Sequence, residues 1–293
     1  MLNYRTLLKL SRPIQLLLAA LTYSLGAGIA HYLGHPVHFA AFGLGLLAIW
    51  SLQAASGWLV EYFRLPLTPL AQGETPRQRE HFRVALLQAS YAALTLGGAV
   101  MVSLLATGIL NVPAGILLGL VTVFLVAYAL PPLRLSESGY GELLLAVVLG
   151  FLLPAFAFLL QFDGFHRLLT FAAFPLTLLA FAYLLACDFP AFATDLKLGR
   201  RTLLTRLAWQ RAIPIHHFLV LAAFLLFAAA PFLGIPWGLV WPVFLALPFA
   251  VIQIVWLQRI ALGGRTLWKF FTGLALATFG LTVYLLALTF WIR

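Results

Sequence analysis

Residues 174 to 187 read FPLTLLAFAYLLAC, and the sixteen residues that follow, Asp188 to Leu203, read DFPAFATDLKLGRRTL. The first stretch offers water nothing but one threonine and one tyrosine hydroxyl and a thiol. The second holds two of the chain's 8 acidic residues, the latter followed at once by Lys197, Arg200 and Arg201. An apolar run of this length crosses lipid more readily than it fills a soluble core, so Asp188 and Asp195 are expected where a membrane helix meets water, beside cations able to hold a polyanion. Carboxylates and cations in that arrangement suit a metal ion and a diphosphate. A carboxylate that only ends a helix in the headgroup region is the alternative for Asp188 taken alone. The pairing with Asp195 and the basic loop favours function.

Composition carries the same reading to the whole chain. With 63% hydrophobic and 9% charged residues and a mean hydropathy of +1.02, a soluble domain of 293 residues would have no interior large enough for its apolar side chains. No period-2 alternation suggests a barrel, so the expected fold is all-α: a single polytopic membrane domain over residues 1–293, folded as a helical bundle. The net charge of +10 reflects basic loops on one side of a membrane rather than a nucleic-acid surface. The single Cys187 forms no intrachain disulfide and is expected simply to pack.

Apolar runs place nine spans at 13–34, 38–63, 83–107, 112–130, 142–162, 168–189, 212–233, 237–258 and 268–291. With the N-terminus in the cytoplasm, every Lys and Arg except Arg167 and Arg293 falls on the cytoplasmic side, and one missed span would exchange the sides of every later loop. The expected location is the cell membrane, multi-pass, N-terminus inside and C-terminus outside. The three long polar loops, 64–82, 131–141 and 190–211, share that inner side. The first apolar run is too long for a secretory leader and reads as an uncleaved helix.

The spacing Asp188, six residues, Asp195, three residues, Gly199, two residues, Thr202-Leu203 resembles the second aspartate motif of the UbiA superfamily of intramembrane prenyltransferases. Tyr128 to Glu142, YALPPLRLSESGYGE, is similar to that family's Y-S-x-P-P-L-R-L-K-x-x-G-x-G-E segment. The family's first motif, Asn-Asp-x-x-Asp-x-x-x-Asp, belongs at the end of the second helix. There this chain has Val60 for the Asn, Glu61 for the first Asp, and Arg64 and Thr68 for the later two. Pro69 to Gly73 resembles the family's R-P-L-P-S-G, Ala191 replaces an Asp of the second motif, and Ser136 replaces the Lys of the third segment.

The resemblance implies a transferase that moves an isoprenoid from a prenyl diphosphate to a lipophilic acceptor, with Mg²⁺ as cofactor. It implies Glu61, Asp188 and Asp195 as metal ligands and catalytic carboxylates, Tyr128 as an aromatic face near the reacting carbon, and Arg64, Arg134, Lys197, Arg200 and Arg201 as diphosphate ligands. In a continuous helix residues seven apart lie about 10.5 Å apart along the axis, so Asp188 and Asp195 hold separate ions or take partners from other helices, and Pro190 makes that spacing itself irregular. Charge arithmetic expects one Mg²⁺, with Arg64 and Lys197 or Arg201 supplying the rest of the positive field. Arg64 either contacts the diphosphate or salt-bridges Glu61 or Asp188 and plugs the site. Glu61 and Asp188 are expected to face one another across a cavity walled by apolar side chains.

Two other classes stay in view: a catalytically inactive paralogue that binds isoprenoid lipid or a partner enzyme, for which the substitutions at Val60, Arg64, Thr68 and Ala191 speak, and a small transporter, against which speaks the lack of acids deep in the spans. The opening Arg12-Pro13 with LLLAALTYSLGAGIA looks more like the naphthoate branch of the family, which would make the acceptor an aromatic or quinone-precursor ring. His216 and His217 point about 100° apart on a helix and are not expected to share a metal.

Overall fold

The structure, a computed structural model, describes residues 4–64 and 75–293. Thr68 and the Pro69–Gly73 segment lie outside the described residues. Among the described residues nine helices are long and apolar enough to cross a membrane, and no strand is present. After a short α1 (Tyr4–Leu10) come α2 (Pro13–Tyr32), α3 (Phe39–Arg64), α4 (Pro76–Ala106), α5 (Val112–Ala129) and α6 (Gly141–Gln161). Then follow α7 (Arg167–Asp188), the short α8 (Phe192–Lys197), α9 (Leu203–Ala228), α10 (Trp237–Ala261) and α11 (Trp268–Ile292). The chain is an integral, multi-pass membrane protein.

Hydropathy located the spans but not all of the helix ends, because a helix continues past the lipid wherever its cap lies further out. α4 begins at Pro76 rather than 83: Thr75 Oγ1 accepts from Gln78 N at 3.3 Å and Gln78 Oε1 accepts from Thr75 N at 3.0 Å, a reciprocal cap with proline at the first helical position. α9 opens at Leu203 rather than 212 with a turn capped by Thr202, whose Oγ1 accepts from Thr205 N at 3.3 Å, and a kink at Ala208 (φ 59°, ψ 164°) separates that turn from the rest of the helix. The added turns are the charged ones that a hydropathy window rejects.

The most enclosed helices are α6 and α7. α2 packs on α6 and α11, α7 on α9 and α11, and α3 on α4 and α5, so that the first and last spans touch and close the bundle. Trp291 Nε1 donates to the Ser24 carbonyl at 3.0 Å across that closing seam. Lipid is as apolar as leucine, so close backbone approach and packing hold such helices together. α6 shows both. Val148–Leu152 widens into a π-turn, and Gly150 within it lies against the backbone of Thr177 of α7, where a Cβ would overlap. On the other flank Gly26 of α2 meets the Pro154 backbone in the same way.

The loops that follow α5 and α7 gather at one end of the bundle. Ser138 pairs with Arg201 in an isolated parallel bridge, and Arg206 Nη1 donates to the Ser138 carbonyl at 3.1 Å while its guanidinium lies 4.5 Å over the Tyr140 ring. Gly139, at φ +81°, is the turn that leaves room for that side chain. The 131–141 and 198–202 segments are thereby joined into one floor beneath the ends of α2, α3, α5, α6 and α7.

Candidate functional site

At that end lies a cavity of about 250 Å³. Polar and charged residues outnumber apolar ones in its lining, where the sequence reading expected apolar side chains. Leu145 and Leu184 are the large apolar side chains among Arg12, Gln15, Arg64, Tyr128, Glu137, Glu142, Asp188, Asp195 and Arg200. The reason is topological: the cavity sits at the helix ends, where the polar loops close over it, and not midway along the spans. Cys187 is exposed and lines the same cavity instead of packing in the core.

Arg12 organises one side. It precedes α2 in the left-handed conformation, φ 57° and ψ 65°, which is costly for a residue with a Cβ and persists only where surroundings fix it. Its Nη1 donates to the Tyr128 hydroxyl at 3.1 Å, and its Nη2 lies 3.7 Å from Glu61 Oε1. Tyr128, and further off the carboxylates of Glu61 and Asp188, hold the guanidinium above its ordinary pKa, against an opposing effect of burial. Arg12 therefore acts on both of the carboxylates expected to face one another. Arg64 Nη1 lies 3.1 Å from the same Glu61 Oε1, and Glu61 is 8% exposed. Arg64 makes the salt bridge to Glu61 that was one of its two expected roles, and it also lines the cavity.

The opposite side is built from α6, α7 and α8. α7 ends at Asp188, a 3-10 turn through Pro190 follows, and α8 begins at Phe192. The regular seven-residue spacing is thus broken at the proline. Asp195, 4% exposed, takes Arg200 Nη1 at 3.2 Å on Oδ1. Asp188 does not resemble it. Its Oδ2 is buried without a hydrogen-bond partner, and so is Oε2 of Glu142. Glu142 is in the first turn of α6, within side-chain hydrogen-bonding reach of Asp188, and its Oε1 accepts from Leu203 N at 3.2 Å, which fixes the carboxyl at the start of α9.

Of the residues singled out in the sequence, Tyr128, Asp188, Asp195, Arg64 and Arg200 line this cavity, and Glu61 stands directly behind Arg12 and Arg64. Arg134, Lys197 and Arg201 do not line it. Arg134 Nη2 is 2.9 Å from Glu137 Oε1 and its guanidinium is 5.8 Å from the Phe63 ring. Arg201 borders a neighbouring pocket of about 410 Å³ with Arg200 and Arg206. Sequence reasoning gave no site role to Arg12, which reads as an inside charge and part of the Arg12-Pro13 opening, or to Glu142, which reads as the end of a motif. What distinguishes both is long-range: the Arg12 contact to Tyr128 spans 116 positions and the Glu142 contact to Leu203 spans 61. His216 and His217 have ring centroids 5.7 Å apart, with His216 Nε2 2.7 Å from Gln253 Nε2. Among the described residues no group of three or more His, Cys, Asp or Glu side chains is placed to hold a metal.

No family model matches the sequence, and no curated protein sequence matches it. Solved structures do match. A UbiA homologue from Archaeoglobus fulgidus bound to DMAPP and Mg²⁺ superposes with a TM-score of 0.63 at 16% identity, over 96% of this chain and 98% of that one. The same homologue bound to GPP and Mg²⁺ gives 0.59 at 15% identity, over 98% and 99%. A structure of digeranylgeranylglyceryl phosphate synthase gives 0.61 at 15% identity, over 100% and 98%. From its first span to its last, the chain has the fold of the UbiA homologues.

Proposed function

We propose that the protein is a membrane prenyltransferase that moves an isoprenoid from a prenyl diphosphate to a lipophilic acceptor, an aromatic or quinone-precursor ring as in the naphthoate branch. The observation that carries this reading is the cavity itself: buried carboxylate oxygens without partners on one side, and Arg12, Arg64 and Arg200 around them. Such a wall suits a polyanion that arrives with a metal ion. Carboxylates alone would repel it, and arginines alone would leave the orphaned oxygens unexplained. The UbiA homologue with this fold binds DMAPP and GPP with Mg²⁺.

In the reaction the bond between C1 of the prenyl group and the diphosphate oxygen breaks, and its electron pair leaves with the diphosphate. The allylic cation then alkylates a ring carbon, which loses its proton. Arg12, Arg64 and Arg200 offset the negative charge that grows on the leaving group, in a pocket where such charges interact more strongly than in water. Tyr128, fixed by the Arg12 hydrogen bond, presents an aromatic face to the nascent cation. Asp188, with Asp195 and Glu61 as the further carboxylates named by the motifs, would hold a Mg²⁺, which when bound supplies compensating charge to the diphosphate. The orphaned Asp188 oxygen fits that ion. Glu61 and Asp195 each already have an oxygen on an arginine.

That engagement of Glu61 by two arginines favours the second reading, an inactive relative that binds isoprenoid lipid or a partner enzyme. Transfer of a labelled prenyl diphosphate in membranes, with and without chelator, decides between them. The transferase reading expects transfer that chelator and Asp188→Ala both abolish. No metal-dependent transfer with any prenyl diphosphate establishes the inactive reading. For orientation, the distribution of Lys and Arg supports an N-terminus and a candidate site on the cytoplasmic side of the cell membrane. A cysteine introduced at Leu198 is then protected from an impermeant thiol reagent in intact cells.

A further inference from the structure

We propose that Glu142, and not Glu61, is the second protein ligand of a divalent cation held by Asp188. This rests on the metal-assisted transfer read above and identifies which side chains of this chain take the ion. The argument begins with what the two acids lack. Asp188 Oδ2 and Glu142 Oε2 are both shut off from water and both without a hydrogen-bond partner, and the two side chains line one cavity. A third oxygen of that wall, Ser136 Oγ, is buried and unpartnered as well. Hard oxygens left without donors on one side of a cavity are the coordination that Mg²⁺ or Mn²⁺ completes with its own waters and a substrate oxygen.

Backbone charge sharpens the point. Glu142 is in the first turn of α6, where the helix dipole favours an anion, but Asp188 is the last residue of the 22-residue α7, where it disfavours one. Two carboxyl oxygens side by side in one low-dielectric wall repel each other, and a cation between them removes that repulsion. Arg12 is the arginine that acts on Asp188, and its two terminal nitrogens are directed to Tyr128 and Glu61. Glu61 is unsuited to the ion for the converse reason. Its Oε1 faces Arg12 and Arg64, and a dication brought there would displace or oppose two guanidinium groups. Glu142 is in addition positioned, since Leu203 N fixes its other oxygen at 3.2 Å.

Mn²⁺ alone is the probe. The full chain in detergent or nanodiscs is titrated with Mn²⁺, the free ion is read by electron paramagnetic resonance, and the titration is repeated with inorganic diphosphate and with competing Mg²⁺. The wild type is expected to bind one Mn²⁺ that Mg²⁺ displaces. Glu142→Gln and Asp188→Asn should each weaken it by about 10-fold or more, Glu142→Asp should restore most of the affinity, and Glu61→Gln should change it by less than about 3-fold. Monodispersity on a sizing column separates lost binding from lost folding, and Asp188→Asn with Glu142→Asp serve if Glu142→Gln fails to fold. Wild-type affinity in Glu142→Gln, or equal losses in Glu61→Gln and Glu142→Gln, overturns the assignment. So does absence of Mn²⁺ binding even with diphosphate, which would mean that a proton alone joins the pair. No prenyl substrate enters the titration. A protein that binds Mn²⁺ through Glu142 yet transfers nothing refutes the transferase reading and leaves the metal site standing.

Discussion

Glu61 and Asp188 occupy equivalent places, each near the end of a long apolar helix that runs into the same cavity, yet their surroundings are opposite. Glu61, 8% exposed, is met by two arginines on one oxygen. Asp188 is met by a second carboxylate and keeps an oxygen with no partner. A buried charge must be compensated. At the end of α3 the chain compensates it internally, so the acid becomes a tether for Arg12 and Arg64. At the end of α7 a second carboxylate stands next to the acid and Arg12 acts on it only from further off, so in the proposed site a cation would supply the compensation. A carboxylate in a membrane protein thus marks a ligand site only when the fold has not already supplied its counter-charge.

The comparison breaks most readily at Asp188. Asp188→Asn keeps the shape and removes the charge, and it should lower prenyl transfer by about 100- to 1,000-fold, comparable to the loss of a group that stabilises developing charge. Measurement of kcat and KM separately is the check. A fall of less than about 10-fold would place Asp188 among the tethers and remove the contrast.

Arg12→Ala should come next. The guanidinium joins Tyr128, Glu61 and the cavity, so its removal takes a cation from the diphosphate and frees the phenol at once. We expect about a 10- to 100-fold loss in kcat/KM, the size of one charge-assisted hydrogen bond, carried mostly by KM for the prenyl diphosphate. Tyr128→Phe removes only the acceptor at 3.1 Å and keeps the ring, so it should cost a few-fold. If Tyr128→Phe equals Arg12→Ala, the hydroxyl takes part in the chemistry and is more than a clamp.

How much of this was legible follows from where each signal lies. The spans were legible because each is a local apolar run as long as a bilayer is thick. Their ends at Pro76 and Leu203 were not, since hydropathy senses lipid while Thr75 and Thr202 decide where the backbone starts to turn. Asp188 and Asp195 were legible from their position after an apolar run. Glu142 was printed in the same motif as Pro131 and Arg134 and had no visible role, because its meaning depends on the end of α7 and the start of α9 coming to it. Arg12 likewise reads as a loop charge until α5 brings Tyr128 beside it. The sequence also assigned Lys197 and Arg201 to the diphosphate on proximity along the chain, whereas the turn at Pro190 brings Arg200 to the cavity and leaves those two off its wall.

The smallest expected effect lies at Glu61, and it tests the comparison from the other side. If Glu61 is a tether, Glu61→Gln retains an amide oxygen to accept from Arg12 and Arg64 and removes only the charge they share. Transfer should then fall by no more than about 3- to 10-fold, with KM for the prenyl diphosphate moving more than kcat, because the two guanidinium groups lose orientation but not charge. Combined with Arg12→Ala the two changes should be less than additive, since the second acts on a contact the first has already removed. Arg64→Asp, which restores an acid of the family's first motif beside Glu61, should be worse than Glu61→Gln. It removes a cation and places two carboxylates one helical turn apart, with Arg12 alone left to offset them in place of Arg12 and Arg64 together. Were Glu61→Gln instead as damaging as Asp188→Asn, both acids would belong to the ion, and the arginines seen on Glu61 would have to leave when it binds.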